Sequence, residues 1–233
     1  MEQDGVQGKP AGGPLTDLRV IEMGQLIAGP FCGQLMADFG AEVIKVEQPG
    51  VGDPMRQFGV EKPHGQALWW PVIARNKKSV TINARLAEGQ DLVRGLAEHA
   101  DILIENFRPG TMEGWGLGYE RLSEINPGLV MIRVSGYGQT GPYAKRAGYG
   151  AIGEAFGGLR YVVGDPSMPP ARTGFSIGDT LAATFAALGG IMAIHARQQT
   201  GRGQMVDSAI YEAVLAITES LVSEYQQAGY VRE

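Results

Sequence analysis

The stretch from Leu18 to Glu47 limits the fold more than any other. Leu18-Arg19-Val20-Ile21-Glu22-Met23 reads as a short strand that stops at Gly24. A helix follows from about Pro30 to Phe39, with the proline suited to a first turn and Gly40 as the stop. Glu42-Val43-Ile44-Lys45-Val46-Glu47 is a second strand. Strand, helix and strand within about thirty residues form a βαβ unit, whose strands run parallel with a right-handed crossover. A parallel sheet must be covered on both faces, so the unit commits the chain to helices on two sides of a sheet.

The alternation continues along the chain. Val80-Thr81-Ile82-Asn83 predicts a strand, Leu86 to His99 a helix with Leu92, Val93, Leu96 and Ala97 on one face, and Asp101 to Glu105 the next strand, closed by a turn at Asn106 to Gly110. A short helix near Tyr119 to Ile125 precedes the strand Leu129 to Val134, and Ser135 to Gly148 is a glycine-rich loop. Further on, Tyr149 to Gly158 is expected as a short helix and Arg160 to Gly164 as an extended piece. A long helix opens at Asp179 and runs to about Gln199, and its Gly189 and Gly190 predict close packing against a neighbour. Arg202 to Asp207 is a last strand-like stretch, and Ala209 to Ala228 a second long helix. Gly50 to Pro71 reads as an irregular loop over the sheet edge, with Trp69 and Trp70 as packing residues. The expected class is therefore α/β: a doubly wound, mostly parallel, Rossmann-like sheet with long flanking helices. Residues 1–14, polar and rich in Gly and Pro, are expected to form a flexible tail, leaving 15–233 as the domain.

Composition narrows the function classes. A net charge of −5 argues against nucleic acid, which demands a clustered excess of Lys and Arg. No uninterrupted apolar run approaches the ~18 residues of a membrane span, and the N-terminus lacks a signal peptide's apolar core. The single cysteine, Cys32, lies in an apolar run and reads as a buried thiol in a reducing compartment, so a cytoplasmic protein is expected. Gly24, Gly29 and Gly33 are spaced as neither a dinucleotide fingerprint nor a P-loop. Glu47 could meet a ribose hydroxyl or be a solvated strand end. No metal site is expected.

Two sets of residues are candidates for chemistry. Arg85, Asn106 with Arg108, and Lys145 with Arg146 all follow strand ends. In a parallel sheet such loops share one edge, where Arg and Lys can hold phosphates, although solvated loop positions would read the same way. The second set is the glycine-punctuated loop Arg172 to Asp179, which delivers one carboxylate to the start of the long helix. Asp179 is read either as the N-cap of that helix or as the reactive group. Gly174-Phe175-Ser176-Ile177-Gly178 also spells the nucleophile elbow of α/β-hydrolases, with Ser176 as nucleophile. That motif needs a strand entering the serine, and Pro169-Pro170 make a poor one. The only later histidine, His195, sits on the very next helix and reads as a packed or dipole-favoured residue.

Ala28-Gly29-Pro30, Phe39 to Glu47, Asn76-Lys77-Lys78-Ser79, Glu105 to Gly110, Gly136 to Pro142 and Thr200 to Gln204 follow in an order that resembles the class III CoA-transferases, the CaiB/BaiF family. The resemblance runs from about Leu15 to the end and places Asp179 at that family's catalytic aspartate. It implies transfer of CoA from an acyl-CoA to a small carboxylic acid through an aspartyl-CoA thioester, with no permanently bound cofactor. It implies CoA contacts along Ile27 and Ala28, the turn Asn83-Ala84-Arg85, Asn106-Phe107-Arg108, and the loop ending at Tyr149. It also implies a homodimer. Gly114 stands where some members carry an arginine, which removes one CoA contact, and Tyr149 stands where the related α-methylacyl-CoA racemases have a histidine, which favours transfer over racemisation. Family members continue through a small domain and a returning C-terminal segment, so the chain is expected to be the large-domain portion, either active in transfer or an inactive CoA-binding fragment or partner subunit.

Overall fold

The computed structural model describes residues 12–65 and 67–232. The first eleven positions of the expected tail lie outside the described residues, while Gly13 is seated against the Phe39 carbonyl and the Leu15 amide donates to that same oxygen at 3.0 Å.

In chain order the elements are β1 (Arg19–Glu22), α1 (Ala28–Asp38), β2 (Glu42–Glu47), α2 (Trp70–Ile73), β3 (Lys77–Thr81), α3 (Ala87–Glu98), β4 (Ile102–Glu105), α4 (Thr111–Gly114), α5 (Tyr119–Ile125), β5 (Val130–Ser135), α6 (Gly150–Phe156), α7 (Ile177–Thr200), β6 (Met205–Ala209), α8 (Ile210–Leu215) and α9 (Leu221–Ala228). The six strands form one sheet in the order β3-β2-β1-β4-β5-β6, every pair parallel. That order is doubly wound, and it reverses direction between β1 and β4. Crevices for ligands open outside the carboxyl ends of strands at such a reversal.

Strand side chains alternate between two cores. Val20, Ile102, Ile104, Ile132 and Val134 pack with α1 and α7 on one face. Ile21, Leu103 and Met131 pack with Val93, Ala97 and Leu122 of α3 and α5 on the other. α7 meets the first face through small residues, Ala182, Ala186 and Gly190, and a Cβ on Gly190 would crowd Ile132 and Met36. α7 is long and apolar enough to cross a membrane by length and composition, but here it lies across the sheet as a core helix. Its outer positions Phe185, Leu188 and Met192 are exposed.

Five details depart from the expectations. β3 begins at Lys77, three residues early, because its polar side chains point at buried carboxylates: Lys77 pairs with Glu22 at 2.7 Å, and Ser79 Oγ donates to Glu47 at 2.6 Å. Leu92 is exposed, whereas Val93 and Ala97 of the expected face are buried. Arg160 to Gly164 is a series of turns, with Gly158 and Gly164 at positive φ. The helix expected over Ala209 to Ala228 is broken into α8 and α9, since the buried Thr218 donates its hydroxyl to the Leu215 carbonyl and Glu219 takes a left-handed φ of 54°. Glu47 is not solvated: it is buried and grips the Arg56 guanidinium at 2.7 and 2.8 Å.

Candidate active site

A cleft of about 420 Å³ lies at the sheet's reversal point. Its walls come from the β1–α1 loop, the turn after β4, the end of β5 and the start of α6, and Asp179 in the first turn of α7.

The β1–α1 loop is held from below by charge. Lys45 of β2 lies within 2.9 Å of Glu22 and 2.8 Å of Asp53, and its ammonium also donates to the Gly24 carbonyl at 2.7 Å. Lys77 joins Glu22 and donates to the Pro30 carbonyl at 2.6 Å. Two lysines and two carboxylates, all buried in side chain, thus neutralise one another beneath the loop. A side chain at position 33 would run into Glu22, so glycine is needed there. Leu26 adopts a left-handed φ of 62°, which costs a non-glycine residue about 1 kcal/mol, and the Asp53 carboxylate secures it by accepting from the Leu26 amide at 3.1 Å. The apolar periodicity of the strands does not announce this network; its traces are the charged residues set inside apolar strands, Glu22 and Lys45.

Asn106 fastens the loop from the side. Its Oδ1 accepts from the Gln25 amide at 2.7 Å and its Nδ2 donates to the Gln25 carbonyl at 2.9 Å. The side chain is therefore spent on holding two loops together, and the free surface of this turn belongs to Phe107 and the exposed Arg108. Behind the turn, Glu105 pairs with the buried Arg133 at 2.6 Å and accepts from the Phe107 amide at 2.6 Å; burial raises its pKa to about 6 against the pull of Arg133.

The sequence-derived candidates divide between two cavities. Ile27, Ala28, Asn106, Phe107, Arg108, Arg146, Tyr149 and Asp179 line the main cleft. Asn83, Ala84 and Arg85 line an adjoining cavity of about 190 Å³, where Asn83 Oδ1 accepts from the Arg85 amide at 3.1 Å. Gln25 and Phe107 border both cavities, so together they form one extended surface along the carboxyl edge of the sheet. Lys145 is exposed and lines neither cavity. The Arg146 guanidinium stacks over the Tyr143 ring at 4.0 Å, and Tyr143 in turn packs edge-on against Tyr137 and Phe156.

Asp179 is not the N-cap. That position is Ser176, whose side chain makes no capping bond, and Asp179 falls inside the first turn. Its carboxylate is partly buried, and no hydrogen bond to it occurs among the described residues. Burial raises its pKa from 3.8 to about 6, the Glu154 carboxylate adds to the rise, and Arg172 opposes it. The helix N-terminus favours the charged form as well. Gly150 makes room for it: a Cβ there would overlap Oδ2 of Asp179. No sequence pattern marks Glu154, which is buried, accepts from the Gly178 amide at 3.4 Å and pairs with Arg160 at 3.4 Å.

Ser176 lacks the surroundings of a hydrolase nucleophile. No strand leads into it, and His195 is exposed on α7, about 28 Å along the helix at 1.5 Å per residue. Among the described residues no group of three or more His, Cys, Asp and Glu is placed to hold a metal. Cys32 is buried, and burial pushes its thiol pKa far up, so it is no nucleophile.

Comparison with known proteins places this geometry in a family. Residues 15–233 match CoA-transferase family III. A succinyl-CoA–D-citramalate CoA-transferase of Chloroflexus aurantiacus is 63% identical over 94% of this chain and 55% of its own length. The human succinyl-CoA:glutarate CoA-transferase is 36% identical over 91% of this chain and 48% of its own. The crystal structure of a CaiB/BaiF family protein from Brucella suis superimposes with a TM-score of 0.89 at 36% identity, over 94% of this chain and 59% of that one. The chain thus spans about half the length of the curated relatives it matches. With its parallel sheet, its cleft at the reversal point and its match over 15–233, the chain belongs to the class III CoA-transferase (CaiB/BaiF) family.

Proposed function

We propose that this chain carries the nucleophile and the CoA-binding edge of a CoA-transferase, with Asp179 forming the covalent intermediate. The observation that carries the reading is a carboxylate without hydrogen-bond partners among the described residues, set in a cleft at the strand ends. A carboxylate needed only for capping would be bonded to helix amides.

In the proposed reaction, Asp179 attacks the thioester carbonyl of the donor and expels CoA thiolate, leaving a mixed anhydride. The thiolate then attacks the aspartyl carbonyl, which releases the donor's acid and leaves an aspartyl-CoA thioester. The acceptor carboxylate attacks that thioester to give a second anhydride, whose acceptor carbonyl the thiolate captures as the new acyl-CoA, restoring Asp179. A carboxylate is a weak nucleophile, so positioning and desolvation supply much of the acceleration. Gly150 and Ala151 line the cleft and open α6, so their amides lack intrahelical acceptors and are the proposed donors to the tetrahedral oxyanion. Arg108 and Arg146 are the proposed partners of CoA phosphates. The relatives' printed names support succinyl-CoA as donor and a dicarboxylic acid as acceptor. A second copy of the chain is the proposed partner, and the cytoplasm the proposed setting.

The test is mass spectrometry of the full-length protein incubated with succinyl-CoA and trapped with hydroxylamine. The expected product is a hydroxamate at Asp179, absent in Asp179→Ala and retained in Ser176→Ala. Trapping at Ser176 instead would transfer the assignment to the hydrolase reading.

A further inference from the structure

We propose that Arg172 sets acyl specificity in the Asp179 cleft, its guanidinium receiving the distal carboxylate of a dicarboxylic acyl group whose reacting carbonyl lies against Asp179. This rests on the transfer reading above and adds a residue and a selection rule to it.

The cleft is lined by three arginines, and their positions separate their roles. Arg108 follows β4 and Arg146 follows β5, both on the edge where the strands end. Arg172 instead lies on the segment between α6 and α7 that delivers Asp179. Among the described residues it has no ion-pair partner. The nearby Glu154 is already engaged by Arg160 and by the Gly178 amide. Arg172 is nonetheless close enough for its charge to favour the ionised form of Asp179. A direct pair would occupy the nucleophile's lone pairs; here the aspartate is left free to attack, and the guanidinium is left free for a different carboxylate.

Charge balance makes that cation necessary. Glu154 and Asp179 already place two carboxylates at this end of the cleft. A third, carried by the substrate, would be repelled unless a cation met it, and a planar guanidinium does so with two parallel hydrogen bonds. Between the charged ends, Ile27, Ala28, Val134 and Ile210 provide apolar wall suited to a short methylene spacer. The acyl groups of donor and acceptor occupy the same space in turn, so one arginine selects both.

The experiment compares succinyl-CoA with butyryl-CoA, which has the same chain length and a methyl in place of the distal carboxylate. Initial rates and hydroxylamine trapping at Asp179 are read with the full-length protein at about pH 8, where Asp179 is ionised. Wild type is expected to favour succinyl-CoA by about 10- to 100-fold in kcat/KM, the range of a hydrogen-bonded charge pair. Arg172→Gln should lower kcat/KM for succinyl-CoA by about tenfold or more beyond whatever loss it causes with butyryl-CoA, and Arg172→Lys should recover part of that difference. Equal losses with both donors would reduce Arg172 to a charge that tunes Asp179 and overturn the proposal, as would a wild type indifferent to the distal carboxylate. No trapping at Asp179 with either donor would instead remove the transfer reading itself, and this inference with it.

Discussion

Replacing Asp179 by asparagine should abolish covalent trapping and, at the same time, stabilise the protein at neutral pH. The folded-state pKa of Asp179 is raised from 3.8 to about 6, chiefly by burial. Between those values the folded chain holds a proton that the unfolded chain has released. Stability therefore falls as pH rises from about 4 to about 6 and stays lowered above that window. At 1.36 kcal/mol per unit, the full shift corresponds to about 3 kcal/mol at neutral pH, an upper figure because the site is only partly buried. Asparagine has no charge to desolvate, so Asp179→Asn should match wild type below about pH 4 and exceed it progressively toward pH 7. For a domain of this size, a gain of that order is about 6–12 °C in Tm. Thermal unfolding of both proteins from about pH 4 to 8, followed by circular dichroism, measures it. A difference that does not change with pH, or an asparagine variant less stable than wild type at pH 8, would refute the claim that this carboxylate is held ionised at a cost. Such a cost is expected where activity needs a poorly satisfied group.

Two further outcomes test the site's construction. Gly150→Ala should reduce Asp179 trapping by about 100-fold or more without loss of folding, because the added methyl occupies the space of Asp179 Oδ2 while alanine suits a helix start better than glycine; circular dichroism alongside trapping separates the two effects. Asn106→Ala removes both bonds to the Gln25 backbone and should cost about 2–3 kcal/mol in denaturant unfolding; CoA affinity, measured by calorimetry, should fall as the β1–α1 loop loosens.

Much of the fold was legible because alternation of strand and helix is a local signal. β2 and α5 fall at the residues the pattern marks, and the glycines at 189 and 190 mark a close helix–sheet approach. Two of the failures come from polar side chains whose partners the apolar pattern does not show. β3 starts at Lys77 because Glu22, far away in sequence, is there to receive its ammonium. The break between α8 and α9 follows one buried threonine hydroxyl that competes with the helix ladder.

The same division holds for the site. The sequence alone established a parallel α/β scaffold, a basic and polar set of loops at its carboxyl edge, and an aspartate at the head of a long apolar helix, because period, turn chemistry and motif order are written along the chain. Only the tertiary structure decided where Asp179 sits, inside the first turn of α7 and on the wall of a cleft. Helix-start chemistry reads a capping aspartate and a reactive one identically; they differ in whether the carboxylate meets amides or an open cleft. That depends on Gly150, Glu154 and Arg172, which the folding of separate segments brings to one place.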